Sequence, residues 1–277
     1  MKGYGFGGER RAAYREEIER KLQELTDFIK SAALDSRKQY GAPVTDDGRI
    51  DVYAYRTVYS DEEVRKDARE TSEGLREWTS GIVSDRTVFS RDQIRDNERL
   101  EMLVYAIFYK NLRDLFVVVR ASRHDGSVNH VHTVLLDKGT GNVVCAFDEV
   151  RDVSGSDYQV TQREIKNLNT ERGGVKLKYG LGSKKEGGRL TVVPAEAKNI
   201  PLFYIALPKD NLEAGIRGFN PALETPSDIE KRLFAYFISS IEAQIKGLEV
   251  LPEQLNEDFK KCLSTFHRLI ENLKSSI

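Results

Sequence analysis

The chain has 277 residues, of which 39% are hydrophobic and 31% are charged. This hydrophobic content excludes a disordered chain, and the length is sufficient to bury a substantial core. The 43 basic and 44 acidic side chains give a net charge of −1, so any site for a polyanion must be a local patch. The longest apolar run, residues 102–109, is far shorter than the roughly 18 residues of a membrane span. With only two cysteines, neither in a metal-type spacing, we expect a cytoplasmic protein with no membrane partner.

The first half of the chain is predicted to be largely helical. Its apolar residues between positions 18 and 32 recur at spacings of four and three, which is typical of an amphipathic helix, and Gly41 and Pro43 follow its end. Ser90 is the predicted N-cap of a helix whose centre is apolar all round, which indicates packing on more than one side. The predicted elements are helices over residues 9–38, 61–78 and 90–113 and strands over residues 50–59 and 82–89.

The second half alternates strands with helices. The segment from Lys138 to Gly141 is a tight hairpin signal, and Ser227 with Glu230 forms a capping box. The predicted elements are strands over residues 115–121, 129–137, 142–150, 190–193 and 202–207, a short helix over 160–168, a loop over 215–226, and helices over 227–248 and 252–275. We expect an α/β core with its N-terminal helix over residues 1–220 and a helical hairpin packed on it over residues 221–277. The apolar stripes of the terminal helices are either core or the seam of a homodimer.

Histidines and acids gather at one end of the predicted hairpin. If Gly139 and Thr140 form a two-residue loop, opposing residue numbers sum to 279 and Glu149 lies opposite His130. The four residues that then share one face of the hairpin are His130, His132, Glu149 and Arg151. A three-residue loop slips the register by one and moves the histidines to the face of Asp148. In either register an acid and two histidines converge.

The helix over residues 90–113 and the strands that follow it resemble the core of the PD-(D/E)XK nuclease superfamily, which includes many restriction endonucleases and Holliday-junction resolvases. In that family a helix carrying an acid precedes a strand bearing an aspartate, and a tight hairpin leads to a strand ending in Glu-x-Lys. Here residues 144–151 read VCAFDEVR, with Glu-x-Arg in place of Glu-x-Lys. Glu98 or Glu101 matches the helical acid. The aspartate of the family falls near His132, where this chain has no carboxylate.

The resemblance implies a mixed central β-sheet of restriction-endonuclease-like type and a nucleic-acid-processing protein that depends on a divalent metal, Mg²⁺ or Mn²⁺, if it is active. Hydrolysis of a phosphodiester needs such ions to polarise the phosphate and activate water. The implied catalytic residues are Glu149, Arg151 and one of Glu98 or Glu101. The candidate metal ligands are Glu149, His132, His130 and Asp148. Arg151 can stabilise charge, but a guanidinium is too basic to act as a general base at neutral pH.

The histidine at the position of the aspartate leaves several alternatives open. His132 is a poor ligand for Mg²⁺ but a good one for Mn²⁺, Zn²⁺ or Fe²⁺, so the site uses a softer metal or takes a second carboxylate from Asp125, Asp137 or Asp148. Asp137 lies at the hairpin turn, about 20 Å from Glu149. The third alternative is a degenerate site in a non-catalytic nucleic-acid-binding or assembly module. Histidines and acids at a hairpin end are also commonly ion-paired side chains with no chemical role.

Residues 172–189 form a second candidate site, for nucleic acid. The segment holds six basic residues, one acid and six glycines. Its net positive charge can contact phosphates without reading sequence, and Tyr179 can stack on a base. The predicted nucleic-acid-binding residues are Arg172, Lys176, Lys178, Lys184, Lys185 and Arg189. A solvated β-hairpin turn explains the same composition, and the glycine spacing matches neither a Walker A loop nor a dinucleotide fingerprint.

Overall fold

The computed structural model describes residues 6–80, 91–150, 156–222 and 226–274. The helices are α1 (Phe6–Tyr40), α2 (Asp61–Ser80), α3 (Arg91–Leu112), α4 (Arg123–Asn129), α5 (Ser156–Glu171), α6 (Lys209–Arg217), α7 (Asp228–Glu249) and α8 (Glu257–Lys274). The strands are β1 (Phe116–Arg120), β2 (Thr133–Asp137), β3 (Val143–Val150), β4 (Val175–Leu177), β5 (Leu181–Glu186), β6 (Arg189–Pro194), β7 (Ala197–Ile200) and β8 (Leu202–Ala206). Across the described ranges, no helix combines the length and hydrophobicity needed to cross a membrane.

A four-stranded mixed sheet forms the centre of the fold, in the order β1-β2-β3-β8. The first three strands are antiparallel neighbours, and β8 runs parallel to β3. Every residue of β1 and β2 is buried, so both faces of the sheet are covered. The strands β4 and β7, and the strands β5 and β6, form two separate two-stranded ribbons.

Two hydrophobic clusters pack on the two faces of the sheet. On one face α3 and α8 meet β3, with the ring of Phe147 5.0 Å from Phe108 and 6.2 Å from Phe266. The same cluster contains buried residues of α1 and α7. On the other face Val119 and Val134 belong to a cluster with Tyr55. The apolar stripes of the terminal helices are thus packed inside this chain, which accounts for their pattern without a second copy.

Most of the predicted elements are confirmed, with shifted ends. The predicted helices over residues 9–38, 61–78, 90–113, 227–248 and 252–275 correspond to α1, α2, α3, α7 and α8, and the capping box of Ser227 and Glu230 is present. The short helix predicted over residues 160–168 is the longer α5. Part of the loop predicted over residues 215–226 belongs to α6, which begins at Lys209. The strand predicted over residues 82–89 lies outside the described residues, as does its neighbour Ser90.

Two predicted strands are wrong in part, because short polar side chains cap local helices there. The segment Val52–Thr57 is a 3-10 helix rather than a strand, and the Asp51 side chain accepts a hydrogen bond from the Tyr53 backbone N–H at 2.9 Å. The strand predicted from residue 129 begins only at Thr133. The side chain of Ser122 accepts a hydrogen bond from the backbone N–H of Asp125 and caps α4 instead.

The pairing of β2 with β3 follows the slipped register. Thr133 lies opposite Phe147, whereas the two-residue loop predicts His132 at that position. A bulge between Leu135 and Leu136 shifts the register by one residue along the hairpin. Glu149 therefore does not pair with His130, and the residue that it meets is Thr133.

Candidate functional site

One end of the central sheet collects most of the polar residues that are buried in it. The strand β1 ends there with Arg120, β2 begins there with Thr133, and β3 brings Glu149 near its own end. Helix α3 contributes Glu101, and Arg49 joins through a parallel bridge to Arg120. We call this group the Glu101 site; its members are Arg49, Glu101, Arg120, His132, Thr133, Asp148 and Glu149.

The Glu101 carboxylate is held by three cationic side chains. Arg49 Nη2 lies 2.5 Å and Arg120 Nη2 2.9 Å from Oε2 of Glu101. The other oxygen, Oε1, lies 3.1 Å from Nδ1 of His132. Burial by itself would raise the pKa of Glu101, but His132 and the two guanidinium groups hold it well below the ordinary value. Glu101 is therefore a carboxylate whose two oxygens are both occupied.

His132 lies between two acids of the Glu101 site. Its Nε2 atom lies 3.5 Å from Oδ1 of Asp148, opposite the contact with Glu101. Burial would lower the pKa of the imidazole, but Glu101 and Asp148 hold it well above the ordinary value. The raised pKa favours the imidazolium form of His132, in which both ring nitrogens are hydrogen-bond donors.

Glu149 is the other buried acid of the Glu101 site. The hydroxyl of Thr133 donates to Oε1 of Glu149 at 2.7 Å, while Oε2 is buried and has no hydrogen-bond partner among the described residues. Burial raises the pKa of Glu149 to about 8, against the attraction of His132. With its pKa raised in this way, the carboxyl must first give up a proton before it can ligate a metal ion.

The residues present do not fit the divalent metal that the resemblance implies. The guanidinium groups of Arg49 and Arg120 contact one oxygen of the Glu101 carboxylate, and His132 contacts the other. In the described parts of the chain, no three His, Cys, Asp or Glu side chains are grouped so that they could hold a metal ion.

The remaining predicted residues lie in different places. Arg151 is outside the described residues. His130 is exposed and ends α4 in a left-handed conformation, with φ of 53°. The carboxylate of Asp125 accepts hydrogen bonds from the backbone N–H groups of residues 178 and 179. Asp137 accepts from the backbone of the hairpin turn. Both of these carboxylates are thus used by the fold.

The basic segment contains β4, β5 and the first residue of β6, so it includes the β-hairpin turn between β5 and β6, and part of its charge is neutralised. Lys178 lies 2.6 Å from both Glu63 and Asp67, and Lys176 is paired with Glu196. Tyr179 is fully buried and donates to Asp67 at 2.7 Å, so the expectation that it stacks on a base is wrong. The exposed cations of the segment are Arg172, Lys176, Lys184, Lys185 and Arg189, and of these Lys176 is the one paired with Glu196.

The ribbon of β5 and β6 lies at the opposite end of the sheet from Glu149. Lys185 Nζ donates to the carbonyl of Gly139 at 2.5 Å, in the turn between β2 and β3. Arg189 donates to the carbonyl of Lys38 at 3.2 Å. Along β3, the six residue steps from Val143 to Glu149 span about 20 Å. The structure thus separates the two candidate sites.

Three members of the Glu101 site were not predicted from the sequence. Arg120 stands in an otherwise apolar strand, and a charge within such a strand is the signal that could have identified it. The position of Thr133 beside Glu149 depends on the register of the hairpin, and the sequence left two registers open. Arg49 reaches the site through an isolated bridge, for which the sequence has no pattern.

Comparison with known protein families, curated proteins and solved structures finds no match for this chain. The function is therefore inferred from the geometry and charge of these two sites.

Proposed function

We propose that this chain is a module of PD-(D/E)XK type that binds nucleic acid without hydrolysing it. The order of its elements supports the ancestry: α3 carries the acid Glu101, β1 and β2 follow, and a tight turn leads to β3 with Glu149 near its end. The observation that carries the non-catalytic part is the pair of guanidinium groups of Arg49 and Arg120 on the Glu101 carboxylate.

The charge of these groups opposes metal binding. Two unit charges 4 Å apart interact by about 4 kcal/mol at an effective dielectric constant near 20, and a divalent ion doubles that energy. A divalent ion at Glu101 would lie beside the guanidinium groups of both Arg49 and Arg120. The two arginines already supply the positive charge that a carboxylate site in the family takes from its metal.

The β5–β6 ribbon supports the nucleic-acid part of the proposal. Lys184, Lys185 and Arg189, which we call the basic hairpin, are exposed on it. Gly187 and Gly188 form its turn with positive φ, and a Cβ atom at either would have no neighbour within 4 Å. Such a protruding turn allows close approach of a phosphate backbone, and its cations bind phosphates without reading sequence.

The test combines binding and cleavage on the same preparations. The full chain is titrated with fluorescent single- and double-stranded DNA and RNA at low salt, and each mixture is then incubated with Mg²⁺ or Mn²⁺. We expect binding that weakens with salt and no cleavage. Absence of binding to all four would overturn the proposal in favour of an assembly module. Cleavage that is lost in Glu149→Gln would overturn it in favour of an active nuclease.

A further inference from the structure

The two edges of the central sheet differ in how their backbone groups are paired. At the β8 edge, the side-chain amide of Asn169 bonds both the backbone N–H of Leu202, at 3.0 Å, and its carbonyl, at 2.8 Å. Gln244 bonds the N–H and the carbonyl of Tyr204 in the same way, at 3.0 and 2.9 Å. Amide side chains thus occupy these two positions, and this edge is protected against pairing with a further strand.

The strand β1 presents alternate residues to the opposite edge. The N–H of Ala121 donates to the carbonyl of His132 at 2.8 Å, and the carbonyl of Leu115 accepts from the N–H of Lys138 at 3.0 Å. In an antiparallel pair, a residue that bonds its partner directs both of its backbone groups to it, and the next residue directs both away. Residues 115, 117, 119 and 121 therefore face β2, and residues 116, 118 and 120 face outward.

The chain covers this outer edge at one end only. The N–H of Arg120 donates to Gly48 and its carbonyl accepts from Ile50, both at 2.9 Å. The outward N–H and C=O groups of Phe116 and Val118 have no hydrogen-bond partner in the part of the chain that the structure describes. Both residues are only 1% exposed, and buried backbone groups in folded proteins are nearly always paired. Two successive outward positions of β1 can therefore receive a guest.

A polar cavity of about 270 Å³ lies against this stretch of β1. Its walls include Gln39 and Tyr40 at the end of α1 and Tyr109 of α3. Two acids and two cations also line it, namely Asp35, Asp114, Arg113 and Lys138. Because their charges sum to zero, the cavity has no net attraction for a phosphate or a metal ion. Its volume is close to the lower end for small-molecule sites, about 300 Å³, so it admits a short segment rather than a folded chain.

We propose that the outer edge of β1 binds a short, extended, uncharged peptide segment of a partner protein in this cavity. A peptide main chain carries N–H and C=O groups that repeat every second residue along a strand, about 6.6 Å apart, and this is the spacing of Phe116 and Val118. Such a segment pairs with both residues as an added strand. It continues the pairing that residues 48–50 begin at Arg120, and its neutral main chain suits the balanced charge of the cavity. This peptide binding goes beyond the proposed nucleic-acid binding and does not depend on it.

The test titrates the full, isotope-labelled chain with the capped peptide acetyl-Thr-Val-Thr-amide, whose β-branched residues favour an extended conformation. The amide signals of Phe116 and Val118 in nuclear magnetic resonance spectra report on the edge directly. The control peptide has the same side chains but is methylated at its backbone nitrogens, so that these nitrogens cannot donate. The main variant is Gln39→Trp, which narrows the cavity from an exposed position of α1. The matched control is Lys38→Trp, at the neighbouring exposed position that does not line the cavity.

We expect the capped peptide to shift the amide signals of Phe116 and Val118 and to bind with a dissociation constant of about 1 mM. At saturation, exchange of these two amide hydrogens with solvent should slow by about tenfold, which corresponds to the net gain of one hydrogen bond. The methylated peptide should bind at least about tenfold more weakly. Gln39→Trp should weaken the capped peptide by a similar factor, while Lys38→Trp leaves its affinity unchanged. Thermal unfolding establishes that each variant is folded.

Three results would overturn the peptide site. The first is an absence of shifts at Phe116 and Val118, and the second is equal affinity for the capped and the methylated peptide. The third is equal affinity of the capped peptide for Gln39→Trp and Lys38→Trp. A mononucleotide that shifts the same two amide signals when the peptide does not would assign the cavity to a nucleic-acid contact instead. None of these results bears on whether the basic hairpin binds nucleic acid.

Discussion

Replacement of Glu149 by glutamine should make folding stability less sensitive to pH. The pKa of this buried carboxyl is about 8 in the folded chain, against an ordinary value of 4.5. Because the folded state binds the proton more tightly, the resulting stabilisation is fully present below pH 4.5 and is lost as the pH rises through 8. Each unit of that window corresponds to 1.36 kcal/mol, so the wild type should lose about 4 kcal/mol between pH 5 and pH 9 through this group.

The glutamine keeps an amide oxygen that accepts from Thr133 but has no proton to lose. Urea unfolding of wild type and Glu149→Gln at pH 5, 7 and 9 measures the effect. The difference in unfolding free energy isolates the titration of Glu149, because the other groups are present in both proteins. We expect the difference to change in favour of the variant by about 4 kcal/mol over this range. Parallel stability curves for the two proteins would refute the buried, protonated state of Glu149.

Three further variants test other parts of the structure. Lys110→Met removes the cation of a fully buried ion pair with Glu230, and urea unfolding should show a loss of about 3–5 kcal/mol. Gly174→Ala introduces a Cβ atom 2.6 Å from a backbone carbonyl at a φ of +96°, and the thermal midpoint should fall by the equivalent of about 1–3 kcal/mol. Removal of the three cations of the basic hairpin should flatten the salt dependence of duplex DNA binding by up to about 2.7 log units per log unit of salt, whereas Lys176→Ala, already paired, should leave it unchanged. An unchanged thermal midpoint in Gly174→Ala would contradict the close approach of residue 174 to the backbone carbonyl. Equal salt dependences with and without the three cations would contradict phosphate contacts by the basic hairpin.

The elements that the sequence predicted well are those in which pattern and local chemistry agree. Helix α7 combines a capping box with an apolar face, and β1 is a run of β-branched residues, so both were located closely. The 3-10 helix over Val52–Thr57 was missed because its valine and tyrosines favour a strand, while one hydrogen bond to the Asp51 side chain turns the chain locally.

The Glu101 site was likewise predicted only in part. The sequence identified Glu101, His132 and Glu149 as neighbours, and the structure brings them together. It did not identify the cations on Glu101, because Arg49 and Arg120 meet through a bridge between segments that are 71 positions apart. The bulge in the hairpin decides which side chain meets Glu149, and no turn signal in the sequence encodes that bulge.

Two arginines, rather than a metal ion, balance the charge of Glu101. A titration of the full chain with Mn²⁺, followed by the electron paramagnetic resonance signal of the free ion, measures whether the site takes a metal. We expect the signal of free Mn²⁺ to be unchanged by the protein up to millimolar concentration, at neutral pH and with or without an oligonucleotide. Stoichiometric binding of Mn²⁺ that is lost in Glu101→Gln would contradict it.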